Sequence, residues 1–235
     1  TIGRVAAGAI AAKILKQLGI EITTYVSSIG DVQVSPENFN REYIMQNELY
    51  MPDKDSYERA SALLSDIMAA NDSIGSSVQC IIKGMPAGIG EPVFDKLDAN
   101  LAKAIMSIGA VKAIEIGDGC MVSENQGSYN NDNFSMKDGK VSKQSNHAGG
   151  ILGGISDGSD IIIKAHFKPT PSIASTQHTV NKSGENIEVS IRGRHDPIIG
   201  PRAVVVVESM AAITVLDLLF DNMSSRLDKI IDFYS

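Results

Sequence analysis

A chain of 235 residues with 43% hydrophobic and 21% charged residues has the composition of a globular protein with one large domain or two small ones. Its formal net charge of −7 argues against a general nucleic-acid-binding surface or a polybasic membrane contact, unless positive charge is gathered locally. The longest apolar run, residues 203–207, is too short to span a bilayer. The chain has two cysteines, Cys80 and Cys120, without metal-ligand spacing, and this favours a reduced, cytoplasmic compartment.

The first half of the chain predicts alternating helices and strands. Helical spacing of apolar residues predicts helices over residues 4–18, 57–68 and 93–108, and period-two alternation predicts strands over residues 20–26, 78–82 and 111–116. The sequence begins with Thr1 rather than Met and enters a helix almost at once. We therefore expect it to start inside a longer protein.

The second half begins with a segment of different composition. Residues 117–160 are rich in Gly, Ser, Asn and Asp and predict a long functional or mobile loop. Strands are predicted over residues 161–167 and 187–191, and a helix over residues 201–234, because Pro201 suits a first helical position. Helices combined with strands that are polar on one face predict an α+β fold, with antiparallel sheets packed on helices.

The stretch "IRGRHDPIIGPR", residues 191–202, concentrates cations in an acidic chain. Arg192, Arg194 and Arg202 lie close to His195 and Asp196. Guanidinium groups bind phosphate and carboxylate through paired hydrogen bonds, so this cation-rich stretch suits an anionic ligand. The alternative, which the pattern leaves open, is a strand-to-helix turn in which the Asp–Pro pair sets the bend and the arginines are solvated.

Two further segments offer ligand contacts. In "SNHAGGILGGIS" four glycines would let a backbone approach a flat or phosphorylated ligand, and His147 is either an acid–base group or a structural residue. In "FKPTPSI" Lys168 and the hydroxyls of Thr170 and Ser172 could hold a phosphate, and a proline-stiffened exit loop is the alternative. The carboxylates of "GDG" and "GSYNND" match no calcium or zinc spacing, which favours loop turns and implies no metal.

Six motifs occur in one order along the chain: "RVAAGAIAAKIL", "EIGDG", "GS…ND", "SNHAGGILGGIS", "KPTPSI" and "GRHDPIIGPRAV…E". Together they resemble the chorismate synthase family, from Arg4 to about Leu227. The resemblance covers the C-terminal two-thirds of the family's chain. It implies a single domain over residues 1–235 that lacks the family's N-terminal part. It also implies a β-α-β sandwich, with helices packed between antiparallel sheets, and a homotetramer.

The resemblance implies a lyase of the shikimate pathway of aromatic amino acid biosynthesis. Such enzymes convert 5-enolpyruvylshikimate 3-phosphate to chorismate by 1,4-elimination of phosphate, with reduced FMN as cofactor and NADPH as one candidate reductant. This chain alone is expected to be incomplete. The alternatives are a non-catalytic fragment, a protein that binds FMN or a phosphorylated ligand, and an NAD(P)H-dependent flavin reductase. Neither nucleic acid nor membrane is expected as a partner.

The resemblance also assigns residues. Asp196 resembles the catalytic aspartate near the reactive flavin nitrogen, and Arg4 resembles a substrate-binding arginine. The residues that resemble flavin contacts are Gly109, Ala110, Gly153, Lys168, Pro169, Thr170, Pro171, Ser172 and Arg194. Gly109 stands where the family often has Asn, so a side-chain contact is expected to be lost there. Ser76 stands where the family more usually has Gly, so the local backbone geometry is expected to differ from that of the family.

Overall fold

The structure is a computed structural model that describes residues 1–137, 139–191, 193 and 196–235. Its α-helices in this part of the chain are α1 (Ile2–Gln17), α2 (Lys54–Ala69), α3 (Leu97–Met106), α4 (Gly127–Asn130), α5 (Gly200–Met223) and α6 (Leu227–Tyr234). Its strands are β1 (Glu21–Ile29), β2 (Val32–Gln33), β3 (Ser76–Lys83), β4 (Val111–Ile116), β5 (Phe134–Lys137), β6 (Lys140–Lys143), β7 (Ile151–Leu152), β8 (Ile155–Ser156), β9 (Ile161–Phe167), β10 (Gln177–Val180) and β11 (Asn186–Val189). Short 3₁₀ helices span Pro36–Asn38, Arg41–Gln46 and Gly119–Ser123.

The strands form one larger sheet and several hairpins. The five-stranded sheet has the order β2-β1-β3-β9-β4, and β5–β6, β7–β8 and β10–β11 each form a two-stranded sheet. The three hairpins and the β1–β2 pair are antiparallel. This mixture of helices and antiparallel strands confirms the predicted α+β class.

The chain divides into two compact units. Unit 1 contains Thr1–Thr24, Gln79–Ala165 and Val205–Ser235, and unit 2 contains Tyr25–Val78 and His166–Val204. Each unit buries apolar side chains of its own, as the hydrophobic effect requires of a stable compact unit.

The core of unit 1 follows from two periodicities in the sequence. On α3, Leu97, Leu101 and Ile105 are fully buried at a spacing of four residues, which places them on one helix face. On β9, Ile161 and Ile163 are fully buried with half-buried residues between them, as expected of a strand. The apolar stripe of α3 and the alternating strand β9 therefore both contribute fully buried side chains to the core of this unit.

Helix α1 approaches α5 within unit 1 at a residue without a side chain. A Cβ added at Gly8 would overlap the Cβ and Cα of Ser209 on α5. Gly8 and Ser209 are both buried. Gly8 thus allows the close packing of the two helices.

Unit 2 is organised around α2. Asp53 caps this helix by accepting a hydrogen bond from the backbone N–H of Asp55 at 3.1 Å. Ser56, Ala60 and Leu64 then place buried side chains at successive four-residue intervals. The capping aspartate and the apolar face together account for the start and the orientation of the helix.

Several boundaries differ from the sequence prediction. The third helix begins at Leu97 rather than at residue 93, because Val93 and Phe94 are apolar but exposed. The helix predicted over residues 201–234 is divided, since α5 ends at Met223 and α6 begins at Leu227. The strand β10 lies between the two predicted strands at residues 161–167 and 187–191, where no strand was predicted.

The segment predicted as one long loop, residues 117–160, contains regular structure. It holds one 3₁₀ helix, α4, and the hairpins β5–β6 and β7–β8. Short strands with polar side chains and glycine turns give weak periodicity, which is why the sequence pattern does not reveal them.

Helix α5 bears on the expectation that no segment could cross a bilayer. By length and composition alone it meets the requirement for a membrane span, with a mean hydropathy of 2.1 over its most apolar window. In this fold, 56% of that window is buried, as is also found for core helices of soluble proteins. The sequence prediction considered only uninterrupted apolar runs and therefore missed this helix. A few scattered polar residues do not prevent a high average hydropathy.

Candidate functional site

The predicted phosphate-binding segment, residues 168–172, follows β9 in unit 2 and contacts a second segment. The hydroxyl of Ser73 donates a hydrogen bond to the carbonyl oxygen of Thr170 at 2.7 Å. A Cβ added at Gly75 would lie 3.1 Å from the carbonyl oxygen of Phe167. Residues 73–76, which we call the linking segment, therefore lie directly against the start of the predicted phosphate-binding segment.

The linking segment also contacts the turn that carries Asp196. The backbone N–H of Ile74 donates to the carbonyl oxygen of Pro197 at 2.9 Å. A Cβ added at Gly200, the first residue of α5, would lie 2.6 Å from Oγ of Ser76. The linking segment thus connects two motifs that are more than twenty residues apart in sequence. The sequence analysis noted the unusual Ser76 but did not predict this connecting role.

Asp196 forms an ion pair within the cation-rich stretch. Its Oδ2 lies 2.6 Å from Nη1 of Arg202, with the two side chains 35% and 73% exposed respectively. An ion pair this exposed contributes little to stability, so the pair is better understood as setting the orientation of the carboxylate. The predicted flavin contact Arg194 lies outside the described residues, as do Arg192 and His195.

Thr170 supplies an unusual polar atom. Its Oγ1 is buried and has no hydrogen-bond partner in the described part of the chain. A buried hydroxyl without a partner is costly, so such atoms often mark positions where a ligand or water completes the hydrogen bond. Lys168, Pro169 and Pro171 are exposed in the same segment, and Ser172 is half-buried.

The predicted flavin contacts of unit 1 lie at two turns with open faces. Gly109 and Ala110 connect α3 to β4, and Ala110 has a φ of 72°, in the left-handed region. Gly153, with a φ of 61°, belongs to the two-residue turn of the β7–β8 hairpin. A Cβ added at Gly109 or at Gly153 would meet nothing within 4 Å. Both turns therefore leave room for another molecule to approach the backbone.

Arg4, the predicted substrate-binding residue, lies on α1 and contacts the end of α3. Its Nη1 donates to Oγ of Ser107 at 2.9 Å and to the carbonyl oxygen of Ser107 at 3.3 Å. Ser107 is the C-terminal capping residue of α3 and precedes Gly109 by two positions. A cation is favourable at a helix C-terminus, so Arg4 is held beside the Gly109–Ala110 turn.

A buried group of charges organises the second half of unit 1. We call Asp132, Lys143 and Asp157 the acid–lysine cluster. The Lys143 ammonium forms ion pairs with Asp132, at 3.4 Å, and with Asp157. All three side chains are buried: Lys143 is 4% exposed, Asp132 3% and Asp157 8%. The sequence analysis favoured loop turns for the carboxylate at 132, whereas the structure makes it a buried partner of a lysine eleven residues later.

Asp132 also fixes the backbone that follows the β5–β6 hairpin. Its carboxylate accepts hydrogen bonds from Oγ of Ser145 at 2.7 Å and from the N–H groups of His147 at 2.8 Å and Ala148 at 3.0 Å. One buried carboxylate therefore sets the position of the "SNHAGG" motif.

Asp132 is expected to make stability depend on acidity. Burial alone would raise the pKa of its carboxyl, but hydrogen bonds from Ala148, Ser145 and His147, together with the charge of Lys143, lower that pKa from 3.8 to about 2. Because the pKa of Asp132 is lower in the folded than in the unfolded state, its carboxylate contributes fully to the free energy of unfolding above about pH 4. This contribution is lost as the pH falls toward the folded-state pKa.

The size of this contribution is roughly 2–3 kcal/mol at neutral pH. Urea unfolding measured across the acidic range should show a steeper loss of unfolding free energy in the wild type than in Asp132→Asn. Parallel curves for the two proteins would show that Asp132 is not the group responsible.

His147 is paired with a carboxylate in the same region. Its Nδ1 lies 2.6 Å from Oδ2 of Asp118, and its side chain is 17% exposed. The ring also packs against Tyr129, with the two ring centroids 4.7 Å apart. The sequence analysis left His147 open between an acid–base and a structural role, and the carboxylate partner could not be read from the sequence.

Comparison with known proteins places the chain in a family. The family model described as chorismate synthase matches residues 1–220. The chain therefore belongs to the chorismate synthase family. It is 60% identical over 234 residues to a protein named chorismate synthase from Agathobacter rectalis and 58% identical over 234 residues to one from Lachnospira eligens. Each match covers 100% of this chain and 64% of the relative.

A more distant relative and a solved structure agree. The chain is 47% identical over 232 residues to a chorismate synthase from Campylobacter fetus, covering 99% of this chain and 64% of the relative. A crystal structure described as chorismate synthase matches with a TM-score of 0.79 and 26% identity, covering 99% of this chain and 66% of the solved one. The chain thus spans about two-thirds of the length of the proteins it matches.

Proposed function

We propose that this protein acts as a chorismate synthase, a lyase that eliminates phosphate and a ring hydrogen from 5-enolpyruvylshikimate 3-phosphate to give chorismate. The observation that carries the proposal is the 58–60% identity, over the whole chain, to proteins of that name. The chain spans 64% of their length, so the activity is proposed for the protein to which these residues belong.

The charge of the substrate explains why an acidic chain concentrates cations. The substrate carries a phosphate and two carboxylates, and these groups need fixed positive charge close by. We assign that role to Arg4 and to the cation-rich stretch of residues 191–202. The net charge of −7 does not oppose this assignment, because the cations act locally.

The cofactor implied by the family is FMN, and the described residues fit it. Thr170 Oγ1, in unit 2, is a buried hydroxyl that lacks a partner among the described residues. Lys168, Thr170 and Ser172 would hold the phosphate of FMN. FMN bound in its reduced form would be the cofactor that this elimination needs, although the overall reaction has no net redox change.

The protein's own groups would orient the reactants and handle a proton. Asp196 is proposed as the proton-handling carboxylate, because its Oδ2 is held by Arg202 and the side chain is only half-buried. A carboxylate in this state can accept a proton when a ligand brings one within hydrogen-bond reach. NADPH as reductant and a homotetramer are further proposals that rest on the family resemblance. A cytoplasmic location is also proposed, and it rests on the two cysteines that lack metal-ligand spacing.

The proposal is tested on the purified full-length protein to which these residues belong, by anaerobic titration with FMN, followed by reduction and addition of 5-enolpyruvylshikimate 3-phosphate. We expect a perturbed flavin absorbance spectrum and the release of chorismate and phosphate in equal amounts. FMN binding without chorismate would favour a flavin-binding protein, and NADPH consumption without chorismate would favour a flavin reductase. Failure to bind either FMN or substrate would refute the proposal.

Replacing Thr170 by Val is expected to separate stability from cofactor binding. Valine keeps the shape of threonine but removes a buried hydroxyl that lacks a partner among the described residues. Without FMN the variant should be as stable as the wild type or more so, because a desolvated polar atom is removed. Its affinity for FMN should fall by roughly threefold to tenfold, the value of one ordinary hydrogen bond.

The control is Thr179→Val, the same change at an exposed residue of the β10–β11 hairpin. Calorimetric titration with FMN and thermal melting of both variants give the two quantities. Unchanged FMN affinity in Thr170→Val would remove this hydroxyl from the cofactor site.

A further inference from the structure

His147 is held in one tautomer by its carboxylate partner. The 2.6 Å separation of His147 Nδ1 and Asp118 Oδ2 requires a proton between them, and an ionised carboxylate can only accept. In the neutral ring Nδ1 is therefore the protonated nitrogen, and Nε2 carries the lone pair. This is the arrangement by which proteins orient a histidine whose second nitrogen is used.

The backbone around His147 fixes the position of the ring. The N–H of His147 donates to Asp132 at 2.8 Å, and its carbonyl oxygen accepts from the N–H of Asp118 at 2.9 Å. A Cβ added at Gly117 would overlap that same carbonyl oxygen, so the two chain segments are in direct contact. The ring of Tyr129, tilted by 46° to the imidazole, packs beside it with the centroids 4.7 Å apart. A group fixed in this way is preorganised for recognition.

The second ring nitrogen, Nε2, has no hydrogen-bond partner among the described residues. Within the described ranges, no hydrogen bond to Nε2 of His147 is found, although Nδ1, N–H and C=O of the residue are all engaged. Nε2 is not among the buried polar atoms that lack a partner, so it keeps access to water. A purely structural histidine would need only the bonds already made.

We propose that the Asp118–His147 pair is a ligand-binding dyad, in which Nε2 of His147 accepts a hydrogen bond from a hydroxyl group of a bound molecule. The proposal rests on the proposed function, because both molecules expected there carry hydroxyl groups. One source is the ring hydroxyl of the substrate, and the other is the ribityl chain of FMN. The shared chemistry is a hydroxyl donor, and the experiment distinguishes the two sources.

The test follows the ring nitrogens directly. Protein labelled with ¹⁵N at its histidines, four of which lie in this chain, is examined by long-range ¹H–¹⁵N spectroscopy, which reports the state of each ring nitrogen. FMN and 5-enolpyruvylshikimate 3-phosphate are added in separate titrations, and inorganic phosphate is added in a third. We expect His147 Nε2 to shift with one of the two organic ligands and not with phosphate. His178, an exposed histidine on the β10–β11 hairpin, serves as the internal control.

A matched variant measures the contribution to affinity. In His147→Asn the side-chain amide can still donate to Asp118, but no atom remains at the position of Nε2. We expect affinity for the ligand that shifts the resonance to fall by roughly threefold to tenfold. Affinity for the other ligand, and the thermal melting temperature, should stay close to the wild-type values. The same measurements on His178→Gln show how much the loss of an exposed histidine alone changes the ligand affinities and the melting temperature.

Each outcome decides the proposal. Binding of FMN and substrate with an unmoved Nε2 resonance would overturn the dyad and leave the proposed function intact. A loss of affinity for both ligands together with a lower melting temperature would assign His147 a structural role and overturn the dyad. Absence of binding by either ligand in the wild-type protein would overturn both proposals.

Discussion

Replacing Lys143 by Met is expected to destabilise unit 1 by about 3–5 kcal/mol, because it leaves two buried carboxylates without a cation. Methionine has nearly the length of lysine and can fill its space, so the loss of charge is the main change. Asp132 and Asp157 are 3% and 8% exposed, and water cannot easily replace the ammonium beside them. Urea unfolding at neutral pH, followed by circular dichroism, measures the effect.

The control is Lys229→Met on α6, where the ion pair with Asp232 joins two exposed side chains. That substitution should change the unfolding free energy by less than about 1 kcal/mol. Adding Asp157→Asn to Lys143→Met should recover part of the loss, because one of the uncompensated charges is removed. A Lys143→Met protein as stable as the control would show that the acid–lysine cluster is not held by charge.

Replacing Asp196 by Asn is expected to lower kcat by about 100-fold or more while FMN and substrate affinities stay near their wild-type values, if Asp196 transfers a proton in the reaction. Asparagine keeps the shape and can still hydrogen-bond, but it cannot accept a proton. Asn is also a good turn residue, so the bend before Pro197 should persist. Steady-state kinetics with reduced FMN and separate binding titrations give the two quantities.

Arg202→Gln separates the carboxylate from its ion pair. This variant removes the partner of Asp196 and leaves the carboxylate in place. If the pair only shapes the turn, both variants should keep near-wild-type turnover. If the proton-accepting carboxylate matters, Asp196→Asn should have the larger effect. Wild-type turnover in Asp196→Asn would leave the cation-rich stretch as a binding turn.

Much of the fold could be predicted where side-chain periodicity reflects burial. The predicted strands at residues 111–116 and 161–167 have the observed boundaries of β4 and β9, and on β9 the alternation records which face is buried. The start of α3 was misplaced by one turn, since Val93 and Phe94 are apolar without being buried. A hydrophobic residue on the surface gives no local signal that distinguishes it from one in the core.

The candidate site was predictable only in part. The phosphate-binding segment and the role of Asp196 were predicted from the order of several motifs and stay predictions, while single motifs left alternatives open. The acid–lysine cluster could not be predicted, because Lys143 meets Asp132 only after the β5–β6 hairpin has closed. The linking segment was missed for a similar reason. Its contacts with Thr170 and Pro197 bridge sequence separations of about a hundred residues, which no local pattern encodes.

The approach of α1 to α5 at Gly8 constrains how the two helices can diverge between relatives. A Cβ at position 8 would overlap not only the Cβ but also the Cα of Ser209, so no residue at 209, not even glycine, would make room for it. The coupling between the two positions is therefore one-sided. Position 209 can exchange one small residue for another without regard to its partner, whereas any side chain at position 8 requires the helix axes to move apart. A side chain at position 8 could be accommodated only by a change in the spacing of the two whole helices.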